Sequence, residues 1–447
     1  MTKTWKKKKL KASTILNNFL IITALLINYS CTRYISYQEK VKSNQIQFGA
    51  MTCEQSYTQK SDVYLGSGGN TDLFKEYKQK YKLNFFDSVI SYSYFQQYLR
   101  PDIISPSTRV QIFISYNGKI HYAEGVSSNN QLSSPLFYIL EEIKKKLNIK
   151  NTSSPLLKEL FPVARVEKDF ALFLKQKKDF LAGLAGQDSA VRNFYFKGEN
   201  VLTPNESYPN QETSDYLGKF SKNTTDYQTI FEEIDLNNSK NIRLCSNFSA
   251  KEDKDYFSLK EELSQNIRHH HFGIAFSNGD FFLALLSQGE VTSNFTKTPL
   301  LLSNNAPRSP WCFYIESKEQ NGPPSFALVT SVGQKNTHQV LQAFLRDNLN
   351  KPINNFLDRL TDNRFIFISP PLRILSEYLN EEENLDQLEK VPFKHLGISI
   401  QQIPIYYQNR VGEIIGIIKR SNFQSFYFDG RSEDRYMTCP VVRAINQ

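Results

Sequence analysis

Three consecutive histidines, His269–His271, are half of the six histidines in this 447-residue chain. If the run is extended, His269 and His271 share one face and His270 takes the other. Two imidazoles at i and i+2 can share a metal ion, but a working site needs a third ligand and commonly a carboxylate behind it. Only His121, His338 and His395 remain as histidines that folding could bring there. Without such a partner the run reads as the polar start of a strand.

A second candidate is "FYFDGRSEDRYMTC", where Asp429, Glu433 and Asp434 gather beside Arg431 and Arg435 after a β-rich run. Glu433 with Asp434 has the residue types of an acid and base pair for glycosidic cleavage. Adjacent side chains point apart, however, and mixed charges of this kind also form a solvated turn. No GxSxG, GxGxxG or GxxxxGK[ST] occurs, so neither a nucleophile elbow nor a phosphate cradle is supported, and no cofactor is expected.

The net charge of +9 comes largely from Lys3, Lys6, Lys7, Lys8, Lys9 and Lys11. With those removed, no basic stripe interleaved with aromatics is left for nucleic acid, which is not an expected partner. The lysines precede an apolar run, Phe19–Ile27, in the layout of an export signal spanning residues 1–31. Nine residues fall short of the about 20 that a membrane-spanning helix needs. The ending, Ser30 then Cys31, resembles a bacterial lipoprotein signal, which implies lipid attachment at Cys31. Asn28 departs from the usual leucine of that pattern. A signal-anchor helix and cleavage elsewhere are the other readings, and all three put the body outside the cytoplasm.

Setting Cys31 aside leaves Cys53, Cys245, Cys312 and Cys439, an even set with no CxxC spacing. Pairing of Cys53 with Cys439 and of Cys245 with Cys312 is expected, against free buried thiols.

The elements that must position these groups read as α+β. Asn117-Gly118 and Asn278-Gly279 each separate two β-rich runs, the strongest short hairpin signal. A third Asn-Gly, at 321–322, is followed by Pro323 and Pro324 and implies a longer loop. Ser134 and Pro135 open a helix whose Leu136, Ile139, Leu140, Ile143 and Leu147 form one stripe. Further helices are expected from Thr71, over about 166–184, and in "NTHQVLQAFLRDNL". The pattern suggests antiparallel or mixed sheets with helices on one face, with a ββα unit near 108–147 repeated near 310–349. Expected boundaries are a signal at 1–31, a flexible linker at 32–70, an α+β domain at 71–186, a loop-rich connection at 187–255 and a second α+β domain at 256–447.

These features predict an exported, membrane-anchored envelope protein whose body binds or scaffolds an envelope protein or glycan without catalysis of its own. The alternative is an envelope hydrolase acting on glycan or peptide through carboxylates or histidines of the C-terminal half.

Overall fold

The structure is a computed structural model. It describes residues 50–56, 62–67, 71–126, 134–150, 157–160, 164–208, 228–234, 243–245, 268–289, 291–295, 301–303, 309, 311–316, 325–332, 365–368, 373–376, 399–402, 413–419, 423–429, 435–438 and 442–445. The segment 1–31, Cys31, Cys439, Glu433, Asp434, His338, His395 and the Asn-Gly at 321–322 lie outside the described residues.

In chain order, β1 (Ala50–Ser56) and β2 (Val63–Ser67) lead to helices α1 (Thr71–Tyr81) and α2 (Phe85–Leu99). The hairpin β3 (Arg109–Tyr116) and β4 (Lys119–Val126) precedes α3 (Pro135–Lys146) and α4 (Leu157–Leu160). Next come α5 (Lys168–Gln176), α6 (Lys178–Ala185), α7 (Ser189–Tyr195), β5 (Phe196–Lys197), β6 (Asn200–Val201), β7 (Gln228–Ile234) and β8 (Arg243–Cys245). The rest is strand: β9 (Arg268–Ala275), β10 (Phe281–Gln288), β11 (Val291–Phe295), β12 (Leu301–Ser303), β13 (Trp311–Glu316) and β14 (Ser325–Val332). Then follow β15 (Phe365–Ile368), β16 (Arg373–Ser376), β17 (Ser399–Gln402), β18 (Glu413–Lys419), β19 (Phe423–Asp429), β20 (Arg435–Thr438) and β21 (Val442–Ile445).

Two compact units emerge. One, 1–47 with 363–409, contains β15, β16 and β17, the last two parallel. The other, 48–362 with 410–447, contains two seven-stranded antiparallel sheets. One sheet runs β20-β2-β9-β10-β3-β4-β7 and is backed by helices; the outer sheet runs β21-β1-β19-β18-β14-β13-β8. The α+β class is therefore correct.

Strand pairing crosses the boundaries expected from the sequence. β10 pairs with β9 on one side and β3 on the other, so residues on both sides of 187–255 share one sheet. The expected linker supplies β1 and β2, and the expected loop-rich connection supplies α7 and β5 to β8. Short strands flanked by polar residues conceal themselves there, because only pairing makes them strands. The expected helix over 166–184 is two helices, α5 and α6, broken at Lys177.

The helix-backed sheet has two cores because its side chains alternate. Val110, Ile112, Ile114, Phe272, Ile274, Phe282 and Ala284 face the helices. Phe113, Ile120, Tyr122, Leu283 and Leu285 face Phe313, Leu328, Ile415 and Ile417 of the outer sheet.

Helix α2 is buried along almost its whole length, which explains why it has no single apolar stripe to read. Asn84 caps it by accepting the Asp87 N–H at 2.8 Å, while Ser88 and Ser93 donate back to the carbonyls four residues earlier. It lies so close to β2 that a Cβ on Gly66 would stand 2.5 Å from Gln96 Nε2. α3 begins as its sequence dictates, with Ser134 Oγ accepting the Leu136 N–H and Pro135 at its start.

Candidate functional site

β9 carries the histidine run, and the pleat separates its side chains. His270 faces the helices, where its Nε2 lies 3.0 Å from Gln96 Oε1. His269 and His271 face the outer sheet, with ring centroids 6.4 Å apart and planes at 89°. Both converge on one hydroxyl: Ser309 Oγ is 3.4 Å from His269 Nδ1 and 3.4 Å from His271 Nε2.

The neighbours follow from strand register. Across β9, β10 and β3, His269, Ser287 and Arg109 form one row, and the next row on that face is His271, Leu285 and Gln111, continuing to Glu124 on β4. The two rows nearer the Asn-Gly turns are Gly273, Leu283, Phe113 and Tyr122, then Ala275, Phe281, Ser115 and Ile120. Polar groups thus collect at the end of the layer where β9 begins and β10 ends.

From the polar rows, through the hydroxyl of Tyr122 in the adjoining row, a chain of hydrogen bonds runs to the serine. The Ser309 N–H donates to Gln111 Oε1 at 2.8 Å, and Gln111 Nε2 donates to the Tyr122 hydroxyl at 3.1 Å. That hydroxyl donates to Glu124 Oε2 at 2.7 Å, and Arg109 Nη1 holds Glu124 Oε1 at 2.7 Å. Burial, and then the Glu124 charge, push the Tyr122 phenol well above its ordinary pKa, so it keeps the proton it donates. Gln111, His271 and Ser309 are fully buried, while His269 is half-buried. Trp311 closes the apolar side, standing edge-on to Phe113 with centroids 5.0 Å apart.

This arrangement has the parts of nucleophilic catalysis: a hydroxyl within reach of an imidazole base, with its backbone fixed by a third group. Among the described residues it lacks those of a metal centre: no three histidines, cysteines or acids gather at metal-binding distance. His269 and His271 meet a serine, and His121 faces the helices on β4, stacked on Phe231.

Of the acid candidates only Asp429 is among the described residues. Asp429 ends β19 in the outer sheet, with Ala50 as its register partner. Cys245 and Cys312 are register partners across β8 and β13, and Cys53 on β1 is opposite Phe426 and Val442. Sequence reading missed Ser309, Gln111, Tyr122, Glu124 and Arg109. The available signal was Arg109 and Gln111 alternating inside the apolar run "RVQIFISY"; Ser309 in "RSPW" carries none. Among the described residues no helix is long and apolar enough to cross a membrane.

No family model and no curated protein matches the sequence. Among solved structures, the cephalosporin acylase from Bacillus halodurans is similar in fold, with a TM-score of 0.54 at 11% identity over 87% of this chain and 96% of that one. LmbA2991HD is similar with a TM-score of 0.52 at 7% identity, covering 87% of this chain and 99% of its own. At these identities the likeness is one of fold. The expectation of a body without chemistry of its own is corrected by it: this architecture is one that an acylase also has.

Proposed function

We propose that the chain is a hydrolase or acyl transferase of the amide or ester class, with Ser309 as nucleophile and the His269–His271 pair as its base. One observation carries this reading: a buried serine hydroxyl stands 3.4 Å from two imidazole nitrogens of a single strand. The fold shared with a cephalosporin acylase supports the class of bond. In the reaction, one imidazole takes the Ser309 proton as Oγ adds to the carbonyl carbon. The resulting imidazolium returns that proton to the leaving nitrogen or oxygen as the carbon–heteroatom bond breaks. Water, deprotonated in the same way, then releases the acyl group from Oγ. Glycosidic cleavage asks for two carboxyl groups, and Glu124, the one acid placed in the site among the described residues, is held by Arg109 and Tyr122.

The test is reaction of the full-length protein with a fluorophosphonate, read by peptide mass spectrometry. Adduct on Ser309, abolished in Ser309→Ala and slowed in His271→Ala, is the expected result. An unlabelled Ser309 in the folded wild type overturns the assignment.

We place this activity outside the cytoplasm, anchored to the membrane through Cys31, on the strength of the basic and apolar layout of residues 1–31. An unmodified Cys31 still preceded by Ser30 in the mature protein would end the lipid-anchor reading. An oxidising location suits the cysteines too, and the opposed register of Cys245 and Cys312 supports a disulfide between them. A duplicated ββα unit is also part of this proposal, supported by the β3–β4 hairpin before α3 and the paired β13 and β14.

A further inference from the structure

On the helix side of β9, opposite the histidine pair, lies a second polar cluster that the reaction does not touch. Asp102, fully buried in the connection between α2 and β3, receives two guanidinium groups. Arg100 donates from Nε to Oδ1 at 3.0 Å and from Nη2 to Oδ2 at 3.1 Å. Arg268 donates from Nη1 to Oδ2 at 2.6 Å and from Nη2 to the Asp102 carbonyl at 3.0 Å. Its Nη2 also donates to Gln288 Oε1, and its guanidinium carbon sits 4.1 Å from the centre of the Phe173 ring. Glu167, 3.8 Å from Arg100, balances the second positive charge and accepts the Phe170 N–H near the start of α5.

We propose that the Asp102–Arg268 clamp is a positioning device for His269, and this rests on the serine–histidine reading above. Arg268 is the first residue of β9 and His269 the second, so their side chains leave the strand on opposite faces. Fixing the arginine on the helix side therefore aims the histidine on the other. The rung at stake is the last of the ladder, Arg268 opposite Gln288. Strand ends are where ladders open first. Here the rung is also tied from below, because Gln288 Nε2 donates to Ser105 Oγ at 2.7 Å. His271 lies three rungs further in, beside Leu285, and depends less on the clamp. A lysine cannot reproduce the fork, since it offers a single point charge. Burial lowers the Arg268 pKa to about 10, which leaves the clamp charged at neutral pH.

The test uses the full-length protein with its histidines labelled with nitrogen-15, comparing wild type, Arg268→Met, Arg268→Lys and the milder Phe173→Leu. The expected result is displaced or broadened ring-nitrogen resonances for His269, with His121 unmoved. Fluorophosphonate reaction at Ser309 falls by on the order of tenfold or more in Arg268→Met. Arg268→Lys recovers part of the loss, and Phe173→Leu, expected to keep the fold, shows a smaller change in the same direction. A folded variant with wild-type His269 resonances overturns the proposal, even if its melting temperature drops. Failure of the wild type to label at Ser309 sinks the catalytic reading instead, while the His269 resonances still decide the clamp.

Discussion

The layer between the two sheets divides into unlike halves. Toward the Asn-Gly turns, Phe113, Tyr122, Leu283, Phe281 and Ile120 pack against Phe313, Leu328, Ile415 and Ile417 of the outer sheet. In the next two rows, on the same strands and the same face, stand His269, His271, Gln111, Arg109 and Glu124, with Ser309 inserted among them. The apolar half gains stability from burial at about 25 cal/mol per Å². The polar half forgoes that gain, and its buried groups must find partners to be tolerated at all. Stability and the proposed chemistry are therefore assigned to different rows of one surface.

The comparison breaks most visibly at Phe113, which is fully buried and touches both Tyr122 and Trp311. Phe113→Ala should cost about 3–5 kcal/mol in denaturant unfolding. A loss below about 1 kcal/mol would show that the apolar rows are not what holds the sheets together.

The polar half should respond differently. Gln111→Leu removes the acceptor of the Ser309 N–H and the donor to Tyr122. Leaving a buried N–H without its bond costs about 1–3 kcal/mol, less than the Phe113 cavity. Labelling of Ser309 should fall by more than about tenfold because the hydroxyl loses its fixed backbone. Unchanged labelling would separate Gln111 from the site.

Ser115 sharpens the boundary from the other side. It sits in the row nearest the turns, fully buried, and its hydroxyl has no hydrogen-bond partner among the described residues. In apolar surroundings that hydroxyl is a burden, so Ser115→Ala should be neutral or stabilise by about 1 kcal/mol. A clear loss in thermal unfolding would mean that the polar rows extend further than drawn.

Only part of this division is legible in the sequence. The turn after β3 is, since Asn117 and Gly118 take φ of 52° and 77°, values that few other residue pairs accept. The start of α3 is legible for the same kind of reason, a serine cap followed by proline. The shared face of His269 and His271 also follows from period two alone. What alternation cannot supply is which strands become neighbours. Gln111 joins His271 only because β10 lies between β9 and β3, and that register depends on contacts far apart in sequence. Ser309 belongs to no periodic element, so nothing in its spacing connects it to β9. The acidic run after β19 drew attention because charges are conspicuous in sequence, whereas a lone serine beside a proline is not.

The smallest expected effect concerns the third described imidazole environment. His121 is buried on the helix face of β4, stacked on Phe231 with centroids 5.4 Å apart, and neither ring nitrogen has a hydrogen-bond partner among the described residues. Burial lowers its pKa below 6.5; Lys119 lowers it further, and Glu233 opposes them. The folded state therefore takes up its proton at lower pH than the unfolded chain does. As pH falls below the ordinary histidine value, the unfolded chain binds the extra proton and stability drops. His121→Phe keeps the aromatic stack and removes that proton linkage. The difference in unfolding free energy between about pH 5 and about pH 8 should shrink in the variant, with little change on the alkaline side. An undiminished acid loss in His121→Phe would assign it to other groups, and His121 would then no longer be the inert counterpart against which the His269–His271 pair stands out.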